Sequence, residues 1–295
     1  MGLGFDRALV TGASGFLGRY VCEALRGAGV EVVECSRDGI RYPDGSRDLD
    51  DNGGLRGKLN SVVRERSIEC VFHLATDFSA GSPRRSYREM VMSNVLLGAD
   101  LIDACVQQKA HIVFASSYFQ TLTEDERAQS PYTITKRASA ELFHYAAQHS
   151  GLKATEVVLC DTYGFDDRRG KLVGKLTKLA QSGGGSFFLN SPSSILNLSL
   201  VDEVAEVLIN VTARESQGVQ RLSILNSESL TSLEVLQKIS EISGIGIVPR
   251  FDRVDIGVHT TEALRPRTPE VLPTSINFDV GFARVWSRIL ESVRN

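Results

Sequence analysis

Short apolar, β-branched runs alternate with longer amphipathic stretches along the first 160 residues. Between the runs, a helical period covers residues 16–27, 53–66, 87–108 and 132–150. Strands that are apolar on both faces and alternate with helices are typical of a parallel sheet covered on both sides. The pattern predicts a doubly wound α/β fold with right-handed crossovers. The runs that predict its strands are RALVTG, VEVVECS, IECVFHLAT, AHIVFASS and ATEVVLC.

The second half of the chain is less regular. A polar loop, DTYGFDDRRGK, precedes a helical stretch at residues 171–181 and mixed strand and helix signals up to residue 242. A last helix is predicted near residues 280–293. We interpret residues 1–160 with about 193–225 as a Rossmann dinucleotide-binding domain. Residues 161–192 with about 226–295 then form a smaller, mixed α/β C-terminal substrate-binding lobe.

Composition and charge narrow the functional classes. The chain has 295 residues, of which 42% are hydrophobic, and a net charge of −3, which gives no reason to expect nucleic acid or a membrane surface as a partner. No apolar segment reaches the roughly 20 residues of a membrane helix, and no signal peptide is expected. The five cysteines are dispersed without a C-x-x-C pair. We therefore expect a cytoplasmic protein with reduced thiols and no metal site.

A glycine-rich turn joins the first strand to the first helix. In TGASGFLG the glycines are Gly12, Gly15 and Gly18. Small residues let the backbone approach a diphosphate here, and the free N–H groups at the start of the helix stabilise its negative charge. Such a turn can also be purely structural, but its position between the first strand and the first helix favours a dinucleotide site.

The strongest chemical signal is SPYTITK. Ser130 can cap a helix whose first turn contains Pro131, which places Tyr132 and Lys136 one turn apart on the same face. A tyrosine, with an ordinary pKa of about 10, exchanges protons readily near neutral pH only when a nearby cation stabilises its phenolate. Y-x-x-x-K also occurs by chance on surface helices. The glycine turn upstream and the serines of HIVFASS favour a catalytic pair.

Together these motifs resemble the extended short-chain dehydrogenase/reductases, which include NAD(P)-dependent sugar-nucleotide epimerases, dehydratases and ketoreductases. The spacing G-x-x-G-x-x-G, the strand end HLAT and the segment VDEVAEVL carry the resemblance, which covers most of residues 7–210. It implies an enzyme with a nicotinamide dinucleotide cofactor. The cofactor-binding positions that it implies are Gly12, Ser14, Gly15, Phe16, Leu17, Gly18, Ser36, Arg37, Asp48, Leu49, Leu74, Ala75, Thr76, Asn94, Ser116, Tyr132 and Lys136.

The resemblance also implies the catalytic roles. A serine at the end of HIVFASS orients the substrate oxygen, and alignment of the strand ends favours Ser117, with Ser116 second. Tyr132 protonates the alkoxide that hydride transfer forms, and Lys136 lowers the pKa of the tyrosine. Sugar 4,6-dehydratases carry an Asp-Glu pair directly after this serine. Here Ser117 is followed by Tyr118, with no acid in the next two positions, so dehydration is not expected.

On the substrate side, the chain looks most like the nucleotide-sugar 4-ketoreductases of deoxysugar biosynthesis. The resemblance rests on the short segment between Ser117 and Tyr132 and on DTYGFDDRRGKL, whose basic residues can grip a diphosphate. The expected substrate is a dTDP-, CDP- or GDP-activated 4-keto-deoxysugar. The predicted substrate-binding positions are Thr76, Ser117, Tyr118, Asp161, Arg168, Lys171 and Arg265, with Arg169 and Arg267 as further candidates.

Three other functions stay open. The family's arginine before V-D-D-V is missing, because Leu196 and Asn197 stand there, and this leaves a small non-sugar ketone or aldehyde as the substrate. A redox-neutral, NAD-dependent nucleotide-sugar 4-epimerase and a non-catalytic NADP-binding regulator are the other two. The resemblance further implies a homodimer that forms through two long helices, residues 87–108 and 132–150.

The end of the second strand, EVVECSRDG, bears on the choice of cofactor. An acid at this place binds the ribose 2′-hydroxyl of NAD and repels the 2′-phosphate of NADP. The family pattern, counted from the glycine turn, puts Ser36 at that place, whereas Glu34 falls two residues early and is expected to point away. Ser36 and Arg37 offer a hydroxyl and a guanidinium to a phosphate. The sequence therefore predicts NADP(H), and with it net reduction.

Overall fold

The computed structural model describes residues 3–49, 55–78, 87–121, 130–214, 218–251 and 268–294. A π-helical stretch, Met92–Leu96, joins α3 to α4, and a short 3₁₀ turn, Val211–Ala213, follows α8. Up to residue 121 the elements are β1 (Arg7–Thr11), α1 (Phe16–Gly27), β2 (Glu31–Ser36), β3 (Gly39–Arg41), β4 (Arg47–Leu49), α2 (Leu55–Glu65), β5 (Cys70–His73), α3 (Tyr87–Val91), α4 (Leu97–Gln108), β6 (His111–Ser117) and α5 (Tyr118–Thr121). From residue 131 they are α6 (Pro131–His149), β7 (Lys153–Leu159), β8 (Asp161–Tyr163), α7 (Leu172–Gln181), β9 (Gly185–Phe188), β10 (Ile195–Leu196), β11 (Leu198–Leu200), α8 (Val201–Asn210), β12 (Val219–Asn226), β13 (Leu230–Thr231), α9 (Ser232–Ser243), β14 (Ile247–Arg250), β15 (Glu270–Thr274) and α10 (Phe278–Arg294).

The central sheet has nine strands in the order β15-β12-β7-β6-β5-β1-β2-β3-β4. From β15 to β2 all neighbours are parallel, whereas β3 and β4 add an antiparallel edge. The chain proceeds from β1 to β2 on one side and later builds β5, β6 and β7 on the other, so the strand order reverses between β1 and β5. In open α/β sheets, ligands bind outside the carboxyl ends of the strands at such a point.

Helices cover both faces of this sheet. On one face α2, α4 and α6 pack in a core that includes Leu59, Leu101 and Phe143, all fully buried. On the other face α1 and α8 contribute Leu25 and Val204 to a second core. Burial on both faces explains why the strands have continuous apolar sequences. The predicted doubly wound α/β fold is confirmed.

A smaller lobe consists of α7, α9 and α10 with three two-stranded sheets. Its pairs are parallel β8 and β11, parallel β9 and β14, and antiparallel β10 and β13. Leu176, Val235 and Phe282 are fully buried in its core or nearly so. One strand of this part of the chain, β15, joins the central sheet beside β12. The division into two domains stays a prediction. Its boundary changes in one respect, because β15, which was predicted to belong to the lobe, is a strand of the central sheet.

The predicted elements of the first 160 residues agree with the structure. The five predicted strands are β1, β2, β5, β6 and β7, and the helix predicted over residues 87–108 runs from α3 through the π-helical stretch to the end of α4. The pattern does not predict β3 and β4, because strands of three residues are too short to show a period. Among the helices of the described ranges, none has the length and apolarity needed to cross a membrane.

Candidate active site

The glycine turn after β1 brings three stretches of backbone into close contact. Gly12 has a φ of +72°, and a Cβ on it would lie 2.8 Å from the backbone N of Ala75. A Cβ on Gly18, in the first turn of α1, would lie 2.1 Å from the carbonyl oxygen of Gly12. The Gly15 N–H donates to that same carbonyl at 2.9 Å. Side chains at these positions would fill the space where the turn and the helix meet, so the chain requires glycine here.

The start of α1 is open to an anion. Gly15 is the N-cap and offers no side-chain cap, and the first turn contains no acid. The first N–H groups and the positive end of the helix dipole therefore face the turn, beside the exposed Ser14. Phe16 is buried and Leu17 half-buried behind them. This cradle fits the diphosphate of a dinucleotide cofactor.

At the end of β2, the acid is engaged in ion pairs and the arginine is exposed. Glu34 forms an ion pair with Arg26 of α1 and a longer one, at 3.9 Å, with Arg41 of β3. The Ser36 hydroxyl accepts the N–H of Asp38 at 3.3 Å in the turn to β3. Arg37 is exposed next to it, and no carboxylate in the described part of the chain forms an ion pair with it.

The antiparallel edge carries two of the predicted cofactor-binding residues, Asp48 and Leu49. The carboxylate of Asp48 accepts the hydroxyl of Tyr42 at 2.8 Å. Leu49 is the last residue of β4. Both residues stand on the strand that is farthest from β1 on this side of the sheet, so their part in cofactor binding stays a prediction.

The segment after β5 is held in place by Asn94. This side chain lies in the π-helical stretch and is 2% exposed, and its amide oxygen accepts the N–H of Asp77 at 2.6 Å. Its amide nitrogen donates to the Asp77 carbonyl and to the Thr135 hydroxyl, both at 3.1 Å. The Thr76 hydroxyl donates to Asn94 at 3.3 Å. Single-turn π-helical insertions are frequent at functional sites, and this one fixes the backbone opposite the glycine turn, where Leu74 and Ala75 are half-buried.

The start of α6 brings the predicted catalytic side chains together. Ser130 and Thr133 form a capping box, with the Thr133 N–H donating to the Ser130 hydroxyl at 3.2 Å, and Pro131 occupies the first turn. Tyr132 is thereby buried beside the end of β6, and its hydroxyl forms a hydrogen bond with Ser117. Ser116, the preceding residue of β6, has a different hydrogen-bonding partner.

Ser116 points away from Tyr132. Its hydroxyl donates to a carboxylate oxygen of Glu156 on β7 at 2.6 Å. Successive side chains of a strand point to opposite faces, so the two serines have different surroundings. The structure brings Ser117, and not Ser116, to the tyrosine.

Burial controls the protonation of the tyrosine and the lysine. It raises the pKa of Tyr132 above its ordinary value, a hydrogen bond with Ser117 opposes this, and the charge of Asp161 raises the pKa further. Burial also lowers the pKa of Lys136 to about 8. The Lys136 ammonium donates to the Ala115 carbonyl at 2.5 Å. Burial therefore keeps Tyr132 a protonated phenol at neutral pH, and the lowering of its pKa by Lys136 stays a prediction.

An apolar cleft of about 220 Å³ is linked to this group through Phe78. Phe78 stands edge-on to the Tyr132 ring, with 4.8 Å between the ring centroids. The polar groups of the cleft are Thr162 and an ion pair, in which Lys171 donates to Asp161 at 2.5 Å. The full lining is Phe78, Phe119, Asp161, Thr162, Lys171, Leu172, Val173, Leu196 and Leu198.

Two arginines predicted to grip a diphosphate have partners within the protein. Arg168 is exposed and donates to Asp166 at 2.7 Å. Arg169 donates to the Thr162 carbonyl at 2.6 Å and stacks over the Phe16 ring at 4.0 Å. Arg169 thus fastens this loop to α1, whereas Arg168 lies on the outside of the loop.

The remaining predicted substrate positions have different surroundings. Tyr118 is buried against Val158, next to the half-buried Phe119 of the cleft. Thr76 is exposed after β5. Arg265 and Arg267 lie outside the described residues.

Sequence reasoning did not identify most of the cleft. Phe78, Phe119, Leu196 and Leu198 carry no reactive group and come from three separate segments, so no motif marks them. Of these four, Leu196 had a signal, since it stands where the family resemblance implies an arginine. Its neighbour Asn197 is buried and clamps the end of β12 by donating to the Asn226 carbonyl at 2.8 Å.

Residues 8–224 match the NAD dependent epimerase/dehydratase family. The CDP-abequose synthase of Salmonella typhimurium is 26% identical over 215 residues, which make up 70% of this chain and 70% of that protein. The UDP-glucuronate 4-epimerase 4 of Arabidopsis thaliana is 30% identical over 184 residues, 53% of this chain and 41% of that protein. The structure of MoeE5 in complex with UDP-glucose and NAD is 24% identical over 97% of this chain and 99% of that chain, with a TM-score of 0.75. At this identity, the likeness to MoeE5 shows a shared fold.

Proposed function

Because the chain belongs to the NAD dependent epimerase/dehydratase family, whose members are enzymes that use a nicotinamide cofactor, we propose that it reduces a ketone with NADPH. The proposed substrate is the 4-keto group of a nucleotide-activated 4-keto-deoxysugar. The observation that carries the proposal is a buried, protonated Tyr132 in a hydrogen bond with Ser117, against Phe78 of the cleft. A reductase needs such a proton donor beside the carbonyl oxygen.

The residues of the site act in a simple sequence. Ser117 donates a hydrogen bond to the carbonyl oxygen and orients it toward Tyr132. A nicotinamide cofactor bound at the glycine turn would supply a hydride to the carbonyl carbon. Tyr132 then transfers its phenol proton to the alkoxide oxygen, a stronger base than the phenolate even with a raised tyrosine pKa. Lys136 holds a positive charge one turn away, which favours the phenolate left behind.

Cofactor choice follows from the end of β2. Glu34 is engaged by Arg26 and Arg41, so its carboxylate is directed to α1 and β3 and not to a ribose at the glycine turn. By the count from the glycine turn, Ser36 takes the position of the ribose-binding acid in NAD enzymes, and Arg37 follows it directly. This arrangement supports NADP(H), because a guanidinium pairs well with a 2′-phosphate.

Arg37→Ala is expected to raise the KM for NADPH about 10- to 100-fold and to leave the KM for NADH within about threefold. The reason is the loss of a charge-assisted hydrogen bond, which contributes about 1.5–3 kcal/mol. Steady-state kinetics with both cofactors check this. Arg41→Ala is the matched control, since this arginine lies on the adjacent strand and faces Glu34. Equal effects of the two substitutions, or an unchanged preference in Arg37→Ala, would refute the NADP assignment.

Support for a sugar substrate comes from the relatives, and support for a second candidate comes from the cleft. A synthase of CDP-abequose and a UDP-sugar 4-epimerase are among the similar proteins. However, the cleft lining is mostly apolar, and Leu196 stands in place of a diphosphate-binding arginine. A small apolar ketone is therefore the second candidate. Epimerisation is the third, and it would require bound NAD that stays on the protein.

The deciding experiment is a panel assay of NADPH consumption. The panel contains three sets of compounds. These are 4-keto-6-deoxysugars activated with dTDP, CDP and GDP, UDP-sugars with a 4-hydroxyl group, and aliphatic and aromatic ketones. Consumption with an activated 4-keto sugar supports the proposal, and consumption with simple ketones alone supports the second candidate. Interconversion of 4-hydroxy sugars without consumption indicates an epimerase, and cofactor binding without any turnover would favour a regulatory role.

We also propose a homodimer. On α6 the exposed side chains Ile134, Leu142 and Tyr145 form one apolar stripe, and Tyr87 and Val91 are exposed on the adjacent α3. Apolar side chains in such a contiguous arrangement mark an interaction surface. Light scattering checks the proposal, because a dimer has twice the 32.2 kDa mass of the chain.

A further inference from the structure

A carboxylate is completely buried in the centre of the sheet, behind the catalytic side chains. Glu156 lies in the middle of β7, opposite Phe114 of β6, and its side chain is 0% exposed. Buried acids are rare and are normally paired, since an isolated buried charge is very costly. Replacement of such a pair by apolar residues is often neutral or stabilising. Stability of the fold alone therefore does not explain why the strand KATEVVL contains an acid.

Glu156 has three hydrogen-bonding partners from three different elements. Ser116 of β6 donates to it at 2.6 Å, Arg221 of β12 donates at 2.7 Å, and His144 of α6 lies at 2.8 Å. Burial alone would raise the pKa of this acid, but the bonds from His144, Ser116 and Arg221 together lower it to about 2. The group is therefore a fixed negative charge at neutral pH.

A chain of hydrogen bonds connects this charge with the catalytic serine. The Ser116 hydroxyl, which donates to Glu156, accepts a bond from the side-chain nitrogen of Gln120 at 3.0 Å. The side-chain oxygen of Gln120 accepts the backbone N–H of Ser117 at 3.3 Å. The position of the Ser117 backbone, and hence of its hydroxyl, is thus set by two buried side chains that end on the carboxylate.

The same charge acts on the catalytic lysine. Among the residues that the structure describes, the titratable groups around Lys136 are Tyr132 on its own helix, His73 on β5 and Glu156 on β7. Burial lowers the pKa of His73 to about 3, so this ring is neutral. Burial lowers the pKa of Lys136, and the charge of Glu156 opposes this effect. In the described part of the chain, Glu156 is the carboxylate that favours a protonated Lys136.

We infer that Glu156 is a positioning residue, which acts on the reaction through Ser117 and Lys136 without touching the substrate. The hydrogen-bonded pair Ser116 and Gln120 links it to Ser117. Its charge favours the ammonium form of Lys136, which the Ala115 carbonyl holds in place. The inference rests on the roles proposed above for these two catalytic residues.

Glu156→Gln tests the inference. The amide keeps the size of the side chain and removes the charge, so kcat is expected to fall roughly 10- to 100-fold, a size seen when a reacting group is slightly misplaced, while the KM for the ketone changes less than about threefold. The pKa of Lys136 drops further below about 8 without this charge, so the ammonium is lost at lower pH. In the plot of kcat against pH, the fall on the alkaline side, here called the basic limb, must therefore move to lower pH.

Two further variants separate positioning from stability. Arg221→Gln removes an ion pair from the same carboxylate but keeps the charge and the Ser116 bond, so its basic limb stays in place or moves to higher pH. Ser116→Ala breaks the chain to Ser117 and keeps the charge, so it lowers kcat without moving the limb. If Glu156→Gln does not fold, as judged by circular dichroism and thermal melting, Ser116→Ala tests the inference instead. A native kcat in Ser116→Ala would then overturn it.

The outcomes distinguish this inference from the proposed function. If the native protein turns over no substrate, or Tyr132→Phe is fully active, the proposed function fails whatever Glu156 does. If the native reaction depends on Tyr132, whether it is reduction or epimerisation, the pH profile of that reaction is the reference. A folded Glu156→Gln with native kcat and an unmoved basic limb, or an Arg221→Gln variant with the same acid shift, overturns the inference.

Discussion

Tyr132→Phe is expected to lose about 10²- to 10⁴-fold in kcat, the usual contribution of a positioned proton donor. The substitution removes one oxygen from a side chain that is 9% exposed and leaves the ring against Phe78. The Ser117 hydroxyl loses its tyrosine partner, but no backbone moves. NADPH affinity, measured by fluorescence titration, should stay within about threefold of the native value, because a single modest hydrogen bond is at stake.

Tyr145→Phe is the matched control for this substitution. Tyr145 lies on the same helix, is 64% exposed and contacts the ring of His149. Its loss of a hydroxyl should not change kcat or the thermal midpoint measurably. If Tyr132→Phe turned over substrate at the rate of Tyr145→Phe, the tyrosine would not be the proton donor, and the proposed mechanism would be wrong.

Gly18→Ala is expected to destabilise the protein by about 3 kcal/mol or more, as overpacking against backbone does. The added Cβ would lie 2.1 Å from the Gly12 carbonyl oxygen and 2.9 Å from the Cα of Ala13. Neither is the flexible end of a side chain, so α1 must move away from β1. The thermal midpoint should fall by roughly 6–12 °C, at about 2–4 °C per kcal/mol, and NADPH binding should weaken because the helix start leaves the turn.

Gly27→Ala provides the comparison in the same helix. A Cβ at Gly27, the last residue of α1, meets no atom within 4 Å. Alanine is also the better helix former, so this variant should be as stable as the native protein or slightly more stable. Equal melting temperatures of the two variants would show that the close approach at Gly18 is not required.

Much of the fold and of the reacting group could be predicted because their signals are local. A strand buried on both faces is a continuous apolar run, and the start of α6 follows from Ser130 and Pro131, which are adjacent in the chain. The glycine spacing and Y-x-x-x-K are also short patterns. Counting residues from the glycine turn predicted that Glu34 points away from the ribose. Its ion pairs with Arg26 and Arg41 agree with that expectation.

The rest of the site depends on contacts between distant segments. Phe78, Phe119 and Leu198 meet in the cleft only because the segments after β5 and β6 lie near the start of β11. The pKa of Tyr132 depends on how completely the surrounding chain excludes water, which spacing does not show. Glu156 did have a signal, an acid in an otherwise apolar strand, but its partners Arg221 and His144 are many residues away.

The position of β15 has a consequence for the synthesis of the protein. β12 pairs with β7 on one side, and within the described ranges its other side pairs with residues 270–274. Until the ribosome has released these residues, β12 presents a row of unpaired N–H and C=O groups, the feature that invites pairing with another chain. The nascent protein thus passes through a stage with an unpaired, aggregation-prone strand edge. Chains that terminate before β15 would keep that edge permanently.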